Sequence, residues 1–206
     1  MRRYLLIFLL FLFTVPTLKS ASIPKGDYVF IDTTYHWVDS VFESLTLRQR
    51  IAQLIMVNTS SRDSEKSRRK ITRLVKKYNI GGIIFFQGGP VRQAQQTNHY
   101  QDLAKTPIMI AMDAEWGLAM RLDSVEPFPR QMMLGATDNN GLIYDMGTEI
   151  GRQCRRMGVH INFAPVVDIN NNPNNPVINS RSFGENKHEV LRKSYSYMQG
   201  MIDSRI

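Results

Sequence analysis

PIMIAMDAEWGLAMRL, residues 107–122, opens as an unbroken apolar run and stops among acids. An apolar run without alternation, bounded by polar residues, reads as a strand buried on both faces, which is the habit of parallel sheets. Three other stretches read the same way: LIMV (54–57), IGGIIFF (80–86) and GVHINFAPVVDI (158–169). Strands are therefore expected at about 54–58, 80–86, 107–113 and 159–168.

Helical patterns fall between these runs. Thr46 and Gln49 have the spacing of a capping box, with Leu47, Ile51, Leu54 and Ile55 on one face. Ile71, Leu74, Val75 and Tyr78 form a second stripe, closed by Asn79 in a left-handed conformation. Gln87-Gly88-Gly89-Pro90 is a turn into a helix over 91–104. Leu142, Met146, Ile150 and Met157 mark a helix over 140–157 that Gly158 ends. Leu191, Ser194, Tyr195, Met198 and Ile202 mark the last helix. FPRQMMLGATDNN (128–140) and the Asn- and Pro-rich 170–186 read as loops. Strands alternating with helices argue for an α/β fold with a parallel sheet. From the pattern alone, a doubly wound sheet and the first half of a (β/α)8 TIM barrel both fit.

The remaining composition narrows the partners. Residues 1–21 carry Arg2 and Arg3, an apolar run from Tyr4 to Val15, then small and polar residues. This is the pattern of a secretory signal peptide, with cleavage expected near Ser20–Ser22 and export to the periplasm or beyond. The run is too short for the roughly 20 residues of a bilayer span; an uncleaved leader as membrane anchor is the alternative. Residues 22–43 form a lead-in, and 44–206 the domain. Removing Arg2, Arg3 and Lys19 lowers the net charge from +8 to +5. Much of the excess lies in SRDSEKSRRKITRLVKK (61–77), read as a solvated helix face rather than a nucleic-acid patch. Cys154, the one cysteine, makes no internal disulfide and reads as a small buried side chain.

In either architecture a ligand site lies beyond the carboxyl ends of the strands. Gln87, Gly88 and Gly89 follow the second strand, Asp113, Glu115 and Trp116 the third, and Asp168, Asn170 and Arg181 the fourth. FFQGGP is no phosphate-binding motif, so its glycines serve a tight turn. The four histidines lack metal-ligand spacing, and His160 reads as a packed or hydrogen-bonded core residue. No metal and no cofactor are expected. Carboxylates remain. On spacing, Asp113 and Asp168 could flank a glycosidic bond as a catalytic pair. Alternatively, one of them caps the following helix or pairs with Arg121 or Arg181, a reading that weighs more on Asp168 than on Asp113. Carboxylates and Arg also grip sugar hydroxyls without breaking bonds, and Trp116 or Phe183 could stack on a pyranose.

LTLRQRIAQLIMV, IGGIIFF, PIMIAMDAEWGLAMRL, GVHINFAPVVDI and NSRSFGE, in this order, resemble the N-terminal barrel domain of the family 3 glycoside hydrolases. The likeness covers roughly residues 44–203. The form D-x-E-x-G-x-x-x-R is similar to the β-N-acetylglucosaminidase branch. Trp116 and Leu118 depart from it where D-Q-E-G-G-R is usual. The resemblance implies a truncated barrel and a small carbohydrate substrate: terminal β-linked N-acetylglucosamine in peptidoglycan fragments or chitin oligomers, hydrolysed with retention. A β-glucosidase or β-xylosidase of the same family, and a non-catalytic sugar-binding protein, are the alternatives. It implies that Asp113, Arg121 and Arg181 hold the sugar, Asp168 less directly, and that Glu115 supports them from behind. The family's K-H-F-P-G-H-G motif and its nucleophilic Asp do not occur in these residues. The resemblance thus implies catalytic groups beyond them, no catalytic residue in this chain, and an inactive fragment.

Overall fold

A computed structural model describes residues 36–206. The expected leader, its cleavage site and residues 22–35 of the lead-in lie outside the described residues. The rest of the lead-in forms helix α1 (His36–Ser44).

Helix α2 (Leu47–Gln53) starts at the expected capping box: Gln49 N–H donates to the Thr46 hydroxyl at 3.3 Å, and Thr46 N–H to Gln49 Oε1 at 3.0 Å. Strand β1 (Met56–Thr59) follows. Helix α3 (Glu65–Arg73) is capped by the Ser64 side chain and runs into a wider π-helical turn, Leu74–Tyr78. Asn79 ends that turn at φ 57°. Its amide is tied to Thr106 in both directions, at 3.0 and 3.2 Å, so the left-handed cap also anchors the chain entering the third strand. Strand β2 (Gly82–Phe85) leads through the Gln87–Gly89 turn to helix α4 (Pro90–Leu103), with Pro90 at the first helical position, where its missing N–H costs nothing. Strand β3 (Met109–Met112) completes the centre of the sheet.

The segment 128–140, expected to be a loop, contains a short helix, α5 (Gln131–Gly135). Gln131 is fully buried there, which the polar sequence did not signal. Helix α6 (Asn140–Arg156) and Gly158 at φ 69° match the expected bounds. Strand β4 is only Ile161–Asn162. Phe163 N–H still donates to the Met112 carbonyl at 2.9 Å, and residues 164–168 run on outside the sheet, with a cis bond between Ala164 and Pro165. Helix α7 (Lys187–Asp203) is capped by Asn186.

All pairings are parallel and the order is β1-β2-β3-β4. A doubly wound sheet reverses its strand order at a switch point. This one runs in simple succession, as a (β/α)8 barrel does, so the fold is the α/β barrel type over its first four strands. Register aligns Thr59, Phe85, Met112 and Asn162 in one row. Every strand therefore ends on the same rim.

Burial is greatest in the middle. Ile110, Ala111 and Met112 point alternately to the two faces of β3, and all three are fully buried. Against this sheet pack Ile143, Ile150 and Cys154 of α6 and Val190, Tyr197 and Met201 of α7. The two helices meet through glycines: a Cβ on Gly147 would lie 2.3 Å from the Tyr197 carbonyl, and one on Gly200 2.2 Å from that of Tyr144. Two expected stripes face the other way. Leu191, Tyr195, Met198 and Ile202 of α7 are exposed, as are Leu47, Ile51, Leu54 and Ile55 around α2. Leu142 is exposed too, and Ile143 takes its place in the core.

Candidate functional site

The site begins where β3 ends. Ala114, between the two acids, is pinned from both sides. Its N–H donates to Asn162 Oδ1 at 2.9 Å, and its carbonyl accepts from the Tyr197 hydroxyl at 3.0 Å. Burial pushes the Tyr197 phenol far above its ordinary pKa, so it remains a donor. The next carbonyl, that of Glu115, accepts from the Gln131 amide at 3.2 Å. Gly117, at φ 84°, then turns the chain under Phe128; a Cβ there would lie 2.7 Å from the Phe128 ring.

This frame aims two carboxylates differently. Asp113 lies at the rim, about one-fifth exposed, ion-paired with Arg121. Arg121 stacks its guanidinium over the Phe86 ring at 4.6 Å, and its Nε has no partner. Glu115 is 2% exposed and receives Arg181 through a fork: Nη2 at 2.7 Å, Nε at 3.0 and 3.1 Å. A planar guanidinium matches a carboxylate in two parallel bonds, which fixes its plane as well as its position. The hydrogen bonds that Arg181 donates to Glu115 raise the pKa of Arg181; burial opposes this, and the charges of Glu115, Asp168 and Asp113 add to it. One side of the Arg181 guanidinium thus belongs to Glu115, while the side chain stays one-third exposed.

The long Asn-rich loop carries Arg181 on a 3-10 turn, Asn179–Arg181. It is tied by its own side chains. Asn175 Oδ1 accepts from Val177 and Ile178 N–H, and the buried Ser182 hydroxyl donates to the Asp168 carbonyl at 2.6 Å. Asp168 is exposed, and it lies on the unpaired extension of β4, not within a strand. Its backbone carbonyl, not its carboxylate, takes the Ser182 hydrogen bond.

Two aromatic expectations change. Phe183 is buried in the core at 3% exposure and cannot stack on a sugar. Trp116 has one face under the Arg130 guanidinium at 4.5 Å, and Arg130 also donates to Ser180 at 3.1 Å. Arg130, Gln131, Asn162, Tyr197 and Phe86 all shape the site and were missed in the sequence. Asn162, a polar residue inside an apolar strand run, was the one signal available.

The other sequence candidates are structural. Gly88 lets the second turn press on the first: a Cβ would sit 1.6 Å from Ser61 Oγ, while Gly88 N–H and carbonyl bridge to Arg121 and Asp123. His160 is exposed, not in the core, and its Nδ1 accepts from Ile110 N–H at 3.0 Å. Cys154 is buried and its thiol is pushed up to about 12, so it is no nucleophile at neutral pH. Among the described residues no three His, Cys, Asp or Glu side chains gather as a metal site.

Residues 46–206 match the model of the glycosyl hydrolase family 3 N-terminal domain. A beta-hexosaminidase A of Pseudoalteromonas piscicida is 38% identical over 136 residues, covering 60% of this chain and 23% of its own. Beta-hexosaminidase LpqI of Mycobacterium tuberculosis is 29% identical over 166 residues, covering 79% of this chain and 41% of its own. The solved family 3 beta-N-acetylglucosaminidase of Paenibacillus sp. str. FPU-7 superposes with a TM-score of 0.69 at 34% identity, over 78% of this chain and 31% of that one. The chain thus spans 23% and 41% of the length of these two curated relatives.

Proposed function

This chain belongs to glycosyl hydrolase family 3 through its N-terminal domain, and on that premise we propose that it holds the terminal sugar of a β-linked N-acetylglucosaminide for hydrolysis with retention. One observation carries the reading: two acid–arginine pairs, Asp113–Arg121 and Glu115–Arg181, stand at the carboxyl rim of the sheet. Asp113 accepts from neighbouring sugar hydroxyls, and Arg121 and Arg181 donate to them from fixed planes. Glu115 is enclosed, so its part is to hold Arg181 still. Asp168 stands at the outer edge of the same charge cluster. None of these residues is assigned to bond breaking; their work is to orient the ring. Peptidoglycan fragments and chitin oligomers are the proposed natural substrates, and the relatives' names support N-acetylglucosamine over glucose. The pattern of residues 1–21 supports export with cleavage near Ser20–Ser22; N-terminal sequencing of the mature protein reads that bond directly.

Calorimetric titration with N-acetylglucosamine and with glucose tests the site. The expected result is saturable binding of N-acetylglucosamine, lost in Asp113→Ala and Arg121→Ala. Binding unchanged in both variants would overturn the assignment. Preference for glucose would favour the β-glucosidase reading.

A further inference from the structure

The basic stretch 61–77 does more than present a solvated face. Between α3 and α4 lies a cleft of about 400 Å³. None of the rim residues Asp113, Glu115, Arg121 or Arg181 lines it. Its walls carry Arg68 and Arg69 from α3 and Arg92 and His99 from α4, against a single carboxylate, Glu65.

The local charges do not cancel. Glu65 is shared by Arg68 and Arg69, the latter at 3.3 Å, and these two hold its carboxyl below the usual range. Arg92 turns to Asp123 at 2.7 Å, where Arg62 already binds at 3.1 Å. Each carboxylate therefore has two guanidiniums, which leaves a positive excess on both sides of the cleft. Asp63, behind this cluster, is occupied by the Thr59 hydroxyl and Ser60 N–H. All three lining arginines keep about half or more of their side-chain surface in solvent, free to turn toward a ligand.

The second observation lies deeper in the cleft. Tyr100 is completely buried, yet its hydroxyl has no hydrogen-bond partner; Thr59 stands near it, outside bonding geometry. Burial raises the Tyr100 phenol, which keeps its proton for donation. Gln96, 8% exposed, leaves its Oε1 without a donor. Both residues line the same cleft. Gln93 and Thr97 of the same helix also lack partners but do not line the cleft; Gln96 and Tyr100 do, which places two unmet bonding groups where a bound molecule can complete them.

We propose that the α3–α4 cleft binds a small hydroxylated anion, a sugar carrying a phosphate or carboxylate group. Arg68, Arg69 and Arg92 take the anionic group through charge-assisted bonds. Neither Gln96 Oε1 nor the Tyr100 hydroxyl meets solvent in the closed cleft, so the bound anion parts the α3–α4 walls, whereupon Gln96 Oε1 accepts from a ligand hydroxyl and Tyr100 donates to a ligand oxygen. This site is separate from the rim where the terminal sugar is held.

Titration calorimetry with glucose 6-phosphate, glucuronate and glucose tests it on the intact chain. At least one of the two anions binds saturably and glucose does not compete; which anion binds identifies the group. Arg68→Ala and Tyr100→Phe each weaken that binding about tenfold or more, with an essentially unchanged melt, since the Arg68–Glu65 pair given up is solvent-exposed and worth little and the Tyr100 hydroxyl has no partner in the protein. Asp113→Ala leaves it unaltered, so failure here is distinct from failure of the rim assignment. No saturable binding of either anion up to about 10 mM, or binding indifferent to Arg68→Ala and Tyr100→Phe, overturns the proposal.

Discussion

The centre of this sheet and its two flanks are built from the same kinds of residue and end in opposite states. At β2 and β3, Ile83, Phe85, Ile110 and Met112 are fully enclosed. At the flanks, Leu54 beside β1 is 88% exposed and Leu191 on α7 is 67% exposed. An apolar stripe therefore declares a face and not a partner. What encloses Phe85 is a neighbouring strand on each side and helices above; Leu54 and Leu191 lie where the succession of strands has only one neighbour.

Five substitutions would break or sharpen this contrast. Phe85→Ala, at the heart of the centre, is expected to cost about 3–5 kcal/mol by the cavity it leaves, read as a large fall in denaturant midpoint. A loss no greater than that of a surface change would mean that the centre is not the cohesive part. Arg181→Ala comes next, at about 3 kcal/mol, because it strands Glu115 in a buried setting. That figure sits at the low end because water already reaches Arg181. The exposed pair Arg152–Glu149 has the same chemistry, so Arg152→Ala should leave the melt where it was. Leu54→Ser and Leu191→Ser should do as little, within about 0.5 kcal/mol. A loss matching Phe85→Ala would show that these faces are covered in solution.

Much of this was legible along the chain because it is local. The capping box at Thr46, the left-handed Asn79, Pro90 at a helix start and Gly158 at a helix end each depend on a few neighbouring residues, and each stands where the sequence put it. The strands were legible from their apolar runs. Which side of α7 is buried was not. Of the expected stripe Leu191, Ser194, Tyr195, Met198 and Ile202, only Ser194 is buried; Val190, Lys193, Tyr197 and Met201 face the core with it. Gly147 and Gly200 decide that choice, since they allow α6 and α7 to touch along one line only.

The candidate site divides in the same way. Asp113, Glu115, Arg121 and Arg181 are readable as charged residues just past apolar runs. Which arginine meets which acid is not, since Glu115 and Arg181 are separated by a strand, two helices and a long loop. Trp116 and Phe183 show the limit of side-chain type as a guide: one is already stacked by Arg130, and the other is core.

The sequence by itself determined most of the elements, the parallel run of the strands and the rim on which the acids stand, because strands, caps and turns are set by interactions a few residues long; the succession β1-β2-β3-β4 and helix α5 came with the tertiary structure. Only the tertiary structure decided the pairing of acids with arginines, the buried side of α7 and the basic cleft between α3 and α4. Those depend on distances between residues far apart in the chain, and the fold alone supplies them.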